Sequence, residues 1–328
     1  AEELVDAITV VLDEIDKPGE LIVIAPAEVR AGNVNNAQQA RKVLGATRVL
    51  EGSLQRFGNV IRVTYSLVHT RSLGQVRAGV ITADASDPLA VQTRVIEAVL
   101  SSLKIELDKA DRQRMASHGT SLPQAYEAYL RGRGYLQGYD RLEDLDRAIA
   151  AFQGSVTLDP GFAAAFAGLG QAYVYKFDST HSPESLVAAR SACSRAEELN
   201  SAIPGGETCL GMVFSRTGEY ELAARHLERA VHLDDRSEES LRQLAEAYEQ
   251  LQRLPEAEST LKKAIALHPR YWGGHKHLGA FYVAQGRYQE AIEQFQQVVK
   301  LAPDSYSGYS NLGGVYLRQG DYAAGIVQ

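Results

Sequence analysis

LGAFYVAQGRYQEAIEQFQQVVKLAPDS, residues 278–305, decides how most of the chain is read. Leu278-Gly279, Tyr282, Gly286, Tyr288, Ala291, Phe295 and Pro303 stand in it at spacings that return elsewhere. Thirty-four residues earlier, Leu244-Ala245, Tyr248, Leu254, Ala257, Leu261, Ala264 and Pro269 fall on the same template. One step further back come Leu210-Gly211, Phe214, Gly218, Tyr220, Ala223, Leu227 and Ala230, and one step forward Leu312-Gly313, Tyr316, Gly320 and Tyr322. A fixed period with matching residue classes is an internal repeat, and it outranks local readings of the fold.

Each position in the unit has a packing reason. With units counted from residues 204, 238 and 272, apolar or small side chains occupy positions 7, 8 and 11, then 20, 24 and 27, with Leu241 at position 4 of the middle unit. On a helix of 3.6 residues per turn these offsets form one stripe on each of two helices. Small residues at position 8 (Gly170, Gly211, Ala245, Gly279, Gly313) and at position 20 (Ala148, Ala189, Ala223, Ala257, Ala291) let the two helices approach closely. Gly218, Gly286 and Gly320 end the first helix in a left-handed turn, and Pro160, Pro269 and Pro303 stop the second. A single helix pair leaves its stripe bare; stacked neighbours cover it.

The amino-terminal part reads differently. Leu4, Ile8, Val11, Leu12 and Ile15 make an amphipathic stripe, ELIVIAP (20–26) reads as a buried strand, and Asn35-Asn36 precede a short helix with Ala37, Ala40 and Leu44 inward. Two apolar-alternating runs joined by Gly58-Asn59 predict a hairpin, with Ile61, Val63, Tyr65 and Leu67 on one face. A third strand follows, in which Val76, Ala78 and Val80 alternate, and a helix opened by Ser86-Asp87-Pro88 closes the unit. The fold class predicted is therefore an α/β amino-terminal domain, a strand meander with covering helices, followed by an all-α array. The boundaries are residues 1–107, a linker at 108–124, and about six helix pairs over 125–328, the last incomplete. The first residues read as the inside of a helix and the last stop within one, so the chain is expected to be a segment of a longer protein.

Residue by residue, the array resembles the tetratricopeptide repeat. Units 204–237, 238–271 and 272–305 keep register without a gap, while two earlier units carry insertions at KFDSTHSPES and QGYDRLED. The resemblance implies a right-handed solenoid whose concave face, formed by the first helices, holds a protein segment. GATRVLEGSLQRFGNVIRVTYSLVHTRSLGQ (45–75), with AEELVDAIT before it and DPLAVQTRVIEAVLSSL after it, resembles the bacterial TolB N-terminal-like domain, whose first strand is missing here. That pairing implies the sensor or scaffold part of a bacterial signalling protein. Its compartment is not fixed by these residues, with an extracytoplasmic part of a membrane-anchored protein preferred over a cytoplasmic one.

The chain carries a formal charge of -7 over 328 residues, which argues against a nucleic-acid partner, since that needs a basic face. No apolar run is long enough to cross a membrane, so no membrane contact is expected of this stretch. RGRGYLQG misses the dinucleotide-binding spacing and follows no strand. His275 and His277 flank Lys276 on opposite sides of a helix, and His275 is read as a packed imidazole. Glu197-Glu198 and Glu238-Glu239 are read as solvated faces, and Cys193 and Cys209 as two buried free side chains rather than a disulfide. No catalytic residue, metal or cofactor is expected, and the chain is read as a non-enzymatic interaction module.

The candidate partner-binding residues, placed on the concave side by the resemblance, are Thr208, Met212, Arg216, Arg242, Glu246, Glu249, Lys276, Val283 and Arg318. The Lys/Asn clamp for a peptide carboxylate is absent: Ala280 follows Lys276 and Glu246 follows Arg242. Self-association through the last repeat is a further expectation. The competing reading makes the amino-terminal domain a small-ligand receptor and the repeats a transmitter, which requires a closed pocket within residues 20–100.

Overall fold

A computed structural model describes residues 34–84, 88–103, 119–120, 122–136, 141–267, 271–303 and 306–321, with isolated positions besides. Apart from Leu12, which is helical, and Val23 and Ile24, which are not in a strand, the helix read over residues 4–15 and the strand over 20–26 lie outside the described residues, as does most of the linker. The described chain opens with helix α1 (Ala37–Leu44) and strands β1 (Arg48–Phe57), β2 (Val60–His69) and β3 (Gln75–Asp84), then helix α2 (Pro88–Leu103). Helices alone follow: α3 (Pro123–Leu136), α4 (Leu142–Leu158), α5 (Ala163–Thr180), α6 (Pro183–Leu199), α7 (Pro204–Thr217), α8 (Tyr220–Leu233) and α9 (Glu238–Gln250). The array continues with α10 (Leu254–Leu267), α11 (Trp272–Ala284), α12 (Tyr288–Leu301) and α13 (Tyr306–Arg318).

The sheet is an antiparallel meander in the order β1-β2-β3. Phe57 pairs with Val60 across the two-residue Gly58-Asn59 turn, where Gly58 takes φ +59°. Val63, Tyr65 and Leu67 are buried, as their alternation predicts. Tyr65 is flanked in register by Gly52 and Gly79, and a Cβ on Gly79 would overlap the Tyr65 ring. The third strand corrects the sequence reading. Val76 and Val80 are exposed, whereas Ile81 and Ala83 pack against the core. The register Val63↔Ile81 and Thr64↔Val80 gives the inner face to the residues that looked like the weaker set.

Helix α2 joins the two parts. Its Val95, Ile96, Val99 and Leu100 share one core with Val63 of β2 and with Tyr126, Tyr129 and Leu130 of α3. Burial of such aliphatic side chains contributes on the order of 1.5–3 kcal/mol each, so the sheet is anchored on the first repeat. At the far end of the unit, the Gly45 turn lies against the Leu301 carbonyl that closes α12.

Within the array, α3–α4, α5–α6, α7–α8, α9–α10 and α11–α12 are the helix pairs, and each second helix also meets the next first helix. The close approaches fall where the repeat places its small residues: Gly132 and Gly168 abut Phe152, Gly211 abuts Leu227, and Gly279 abuts Phe295. Gly218 closes α7 at φ +79°, its N–H donating to the Phe214 and Ser215 carbonyls. Ser182 and Ser237 cap α6 and α9 by accepting from the Ser185 and Ser240 N–H groups.

Two expectations change. Cys193 of α6 and Cys209 of α7 are not free: they form a disulfide, and both are fully buried. Gly170 of α5 makes room for both sulfurs. The insertion KFDSTHSPES is not mainly loop. Helix α5 runs 18 residues to Thr180 and turns at His181, φ +55°, so the added residues lengthen the helix and bring Asp178 to the inner face.

Candidate partner-binding groove

First helices of successive repeats adjoin, α5 against α7 and α7 against α9, and so form the inner wall. On this wall, polar side chains from different repeats are tied to one another. Arg216 of α7 forks onto Asp178 of α5, Nε to Oδ1 at 2.9 Å and Nη2 to Oδ2 at 2.8 Å, and its Nη1 lies 3.8 Å from Glu246 Oε1 of α9. Burial works against the Arg216 charge, but Asp178 and Glu246 outweigh it and raise its pKa. Tyr175 of α5 donates its hydroxyl to Glu239 of α9 at 2.8 Å, passing over the intervening repeat. Glu239 also accepts from Arg242 at 2.8 Å and from Gln243 at 3.0 Å. Burial pushes the Glu239 carboxyl up, and the Arg242 charge with these hydrogen bonds brings it below its ordinary value. Glu239 is thus a hub of the inner wall, a correction to its reading as a solvated residue.

Two further corrections concern α7. Thr208 and Met212, expected to line the groove, are buried, at 2% and 0% exposure. They lie on α7, the middle helix, and Met212 belongs to the apolar cluster it shares with α5 and α6. Thr208 Oγ1 bonds the Pro204 carbonyl at 3.0 Å and sits 2.8 Å from Ser240 Oγ. Neither side chain is available to a ligand.

The other predicted residues divide in two. Arg216 and Arg242 face the inner wall but are held by carboxylates. Glu246, with 43% of its side chain exposed, Glu249, Lys276 and Val283 are partly open, and Arg318 is exposed. Lys276 Nζ lies 5.6 Å from the centre of the Trp272 ring, a cation–π placement. Glu249 takes a bond from Gln285 at 3.4 Å, while burial and the Glu246 charge raise its pKa. His277, missed as an inner-wall residue, is pushed down to about 4 by burial and then by Arg242 and Lys276, against Glu239. Sequence reasoning also missed Tyr175, although it stands at the same position of its unit as Arg216 and Arg318, and Asp178, which lies in the added turn of α5.

Away from this wall, Glu197, Glu207 and His226 bring ligand-type atoms within 4.8 Å of one another. His226 Nδ1 lies 2.8 Å from Glu207 Oε2, and Arg229 Nη1 lies 3.0 Å from Glu207 Oε1 and 3.8 Å from Glu197 Oε1. The Arg229 guanidinium supplies the cation there, and the cluster ties α6, α7 and α8 together. His275 bonds Gln294 at 2.9 Å. An open depression of about 550 Å³ lies between α5 and α6, bordered by Phe166, Leu169, Ala192 and Arg195, outside residues 20–100. No helix among the described residues is long and apolar enough to cross a membrane.

Comparison with known proteins agrees with the repeat geometry. Residues 216–274 match the tetratricopeptide repeat family and residues 279–320 match the TPR repeat family. A curated relative, "Putative adenylate cyclase 3" of Rhizobium meliloti (strain 1021), is 26% identical over 210 residues, covering 62% of this chain and 36% of that protein. Among solved structures, the APC/C hetero-tetramer Cut9-Hcn1 superposes with TM-score 0.52 at 20% identity, covering 74% of this chain and 48% of that one. The human IFIT1 dimer with m7Gppp-AAAA gives TM-score 0.52 at 17% identity, covering 74% and 55%. The chain thus spans about a third of its curated relative and about half of these two structures. It carries tetratricopeptide repeats, stacked as a helical solenoid behind a small three-stranded antiparallel sheet.

Proposed function

We propose that this chain is a non-enzymatic scaffold that holds an extended segment of a partner protein along α9, α11 and α13, within a larger bacterial signalling protein. Tetratricopeptide repeats generally serve as protein-interaction scaffolds. One observation carries the reading to this part of the wall. Asp178, Arg216, Glu239 and Arg242 are paired with one another across α5, α7 and α9, whereas Lys276, Ala280, Val283, Leu317 and Arg318 remain partly or fully open and Glu246, beside Arg216, keeps 43% of its side chain exposed. That strip alternates both charges with apolar contact, which suits a peptide with mixed side chains. Glu239, Glu246 and Glu249 on the same wall, with a chain charge of -7, disfavour a nucleic acid.

The α/β unit is proposed to be a TolB N-terminal-like domain docked on the first repeat through α2. The relative named as a putative adenylate cyclase supports the signalling context: its similarity covers 36% of its own length, which leaves its catalytic part room outside the shared stretch.

The test is capture of a partner identified with the unaltered chain. Lys276→Glu with Glu246→Lys should reduce recovery at least tenfold with an unchanged melting temperature. Arg195→Glu, on α6 and outside the inner wall, should not. Equal recovery by all three proteins would remove the groove from the function.

A further inference from the structure

The apolar interior of the array is not uniform. One cluster joins α2, the sheet and the first two repeats, through Val99, Tyr129, Phe152 and Leu169. Another runs through the third, fourth and fifth repeats, through Leu227, Leu244, Phe281 and Phe295. Between them lies a small cluster, Val174, Ala189, Cys193, Cys209, Leu210, Met212 and Val213, and both cysteines belong to it. Position 24 carries Phe152, Leu227, Leu261 and Phe295 in the other repeats, each a large wedge, but Cys193 here. Position 6 of the next unit carries Gly168, Gln243, His277 and Asn311 elsewhere, but Cys209 here. Where the repeat forgoes its apolar wedge, a covalent bond joins α6 to α7, and Gly170 leaves the space for it.

We propose that the Cys193–Cys209 disulfide is a permanent cross-link at the seam between the two large apolar clusters of the array, and that the chain consequently folds and works in an oxidising, extracytoplasmic compartment. Both sulfurs have no exposure, so a thiolate from solvent reaches them only after the seam opens. Such a bond is placed to hold structure rather than to cycle. It forms during folding by exchange with a dithiol–disulfide oxidoreductase. One cysteine thiolate attacks the donor disulfide, the second displaces the mixed disulfide, and the donor leaves as a dithiol carrying the two electrons and two protons. Disulfides of this kind persist outside the cytoplasm, where thiols are not kept reduced.

The decisive experiment is thiol trapping on the full-length protein in the cells that make it, quenched directly into denaturant with an alkylating reagent. Cys193 and Cys209 should carry no adduct before reduction and two after it; two adducts before reduction would overturn the proposal. For the purified oxidised chain, Cys193→Ala with Cys209→Ala should lower the melting temperature by roughly 6–12 °C, the size set by a loop of about 16 residues in a domain of this length. The oxidised chain should also stay oxidised for hours in millimolar reduced glutathione. An unchanged melting temperature, or exchange within minutes, would rule out a permanent cross-link.

Discussion

Gln252 holds, at the end of α9, the left-handed backbone turn that Gly218 holds one repeat earlier, with φ +59° against +79°. Gly286 and Gly320 hold the same turn in the two following repeats. A side chain in this region costs about 1–2 kcal/mol relative to glycine. Gln252→Gly should therefore stabilise the chain, by about 0.5–1 kcal/mol once the greater freedom of unfolded glycine is counted. Urea denaturation checks the sign.

A tyrosine, a glutamate and an arginine recur on successive repeat seams. Tyr282 donates to Glu258 at 2.8 Å while Arg287 covers the Tyr282 ring at 4.3 Å and bonds Glu258. Tyr248, Glu228 and Arg253 repeat the arrangement one unit earlier. Arg287 pulls the Glu258 carboxyl to about 2, with Lys262 and Tyr282 assisting against burial. A carboxylate with a depressed folded pKa contributes stability above its unfolded value, and that contribution disappears as pH falls through the folded one. Thermal stability should thus drop between about pH 4.5 and about pH 2. Glu258→Gln should flatten that part of the profile; an unaltered slope would show the bond to be idle.

Met212 distinguishes a core residue from a groove residue. Because it is fully buried, Met212→Ala should cost about 2–5 kcal/mol in chemical denaturation, as large-to-small core changes do. An inner-wall residue open to solvent would lose less than about 0.5 kcal/mol.

His277 should titrate near pH 4 by NMR rather than at its ordinary value of 6.5. Burial, then Arg242 and Lys276, disfavour the imidazolium. As pH falls from 6.5 towards 4, the unfolded chain takes up this proton first, so stability decreases across that window. His277→Gln should remove the contribution, and a bound carboxylate near Lys276 should move the midpoint upward.

The array was legible because each packing position is set by neighbours at fixed spacing: Gly279 predicts Phe295, and Gly211 predicts Leu227. The inner wall was less so. Arg216, Arg242, Glu246 and Lys276 stand where helix position alone puts them. Thr208 and Met212 are buried, Thr208 against Ser240 of the next repeat and Met212 in the seam cluster, and the Tyr175–Glu239 pairing across a repeat is one that no local spacing encodes. The disulfide did leave a signal, since the two cysteines fall at positions 24 and 6 of the same seam and one of them replaces the apolar wedge. On β3 the apolar alternation misled, because cross-strand register rather than residue type chose the buried face.

The hydroxyl of Tyr175 reaching Glu239 has a mechanical consequence. Solenoids usually come apart one unit at a time, since each unit leans only on its neighbours. A tie that skips a unit makes residues 163–250 open as one block, so the backbone amides of α5, α7 and α9 should exchange with deuterium at a common rate.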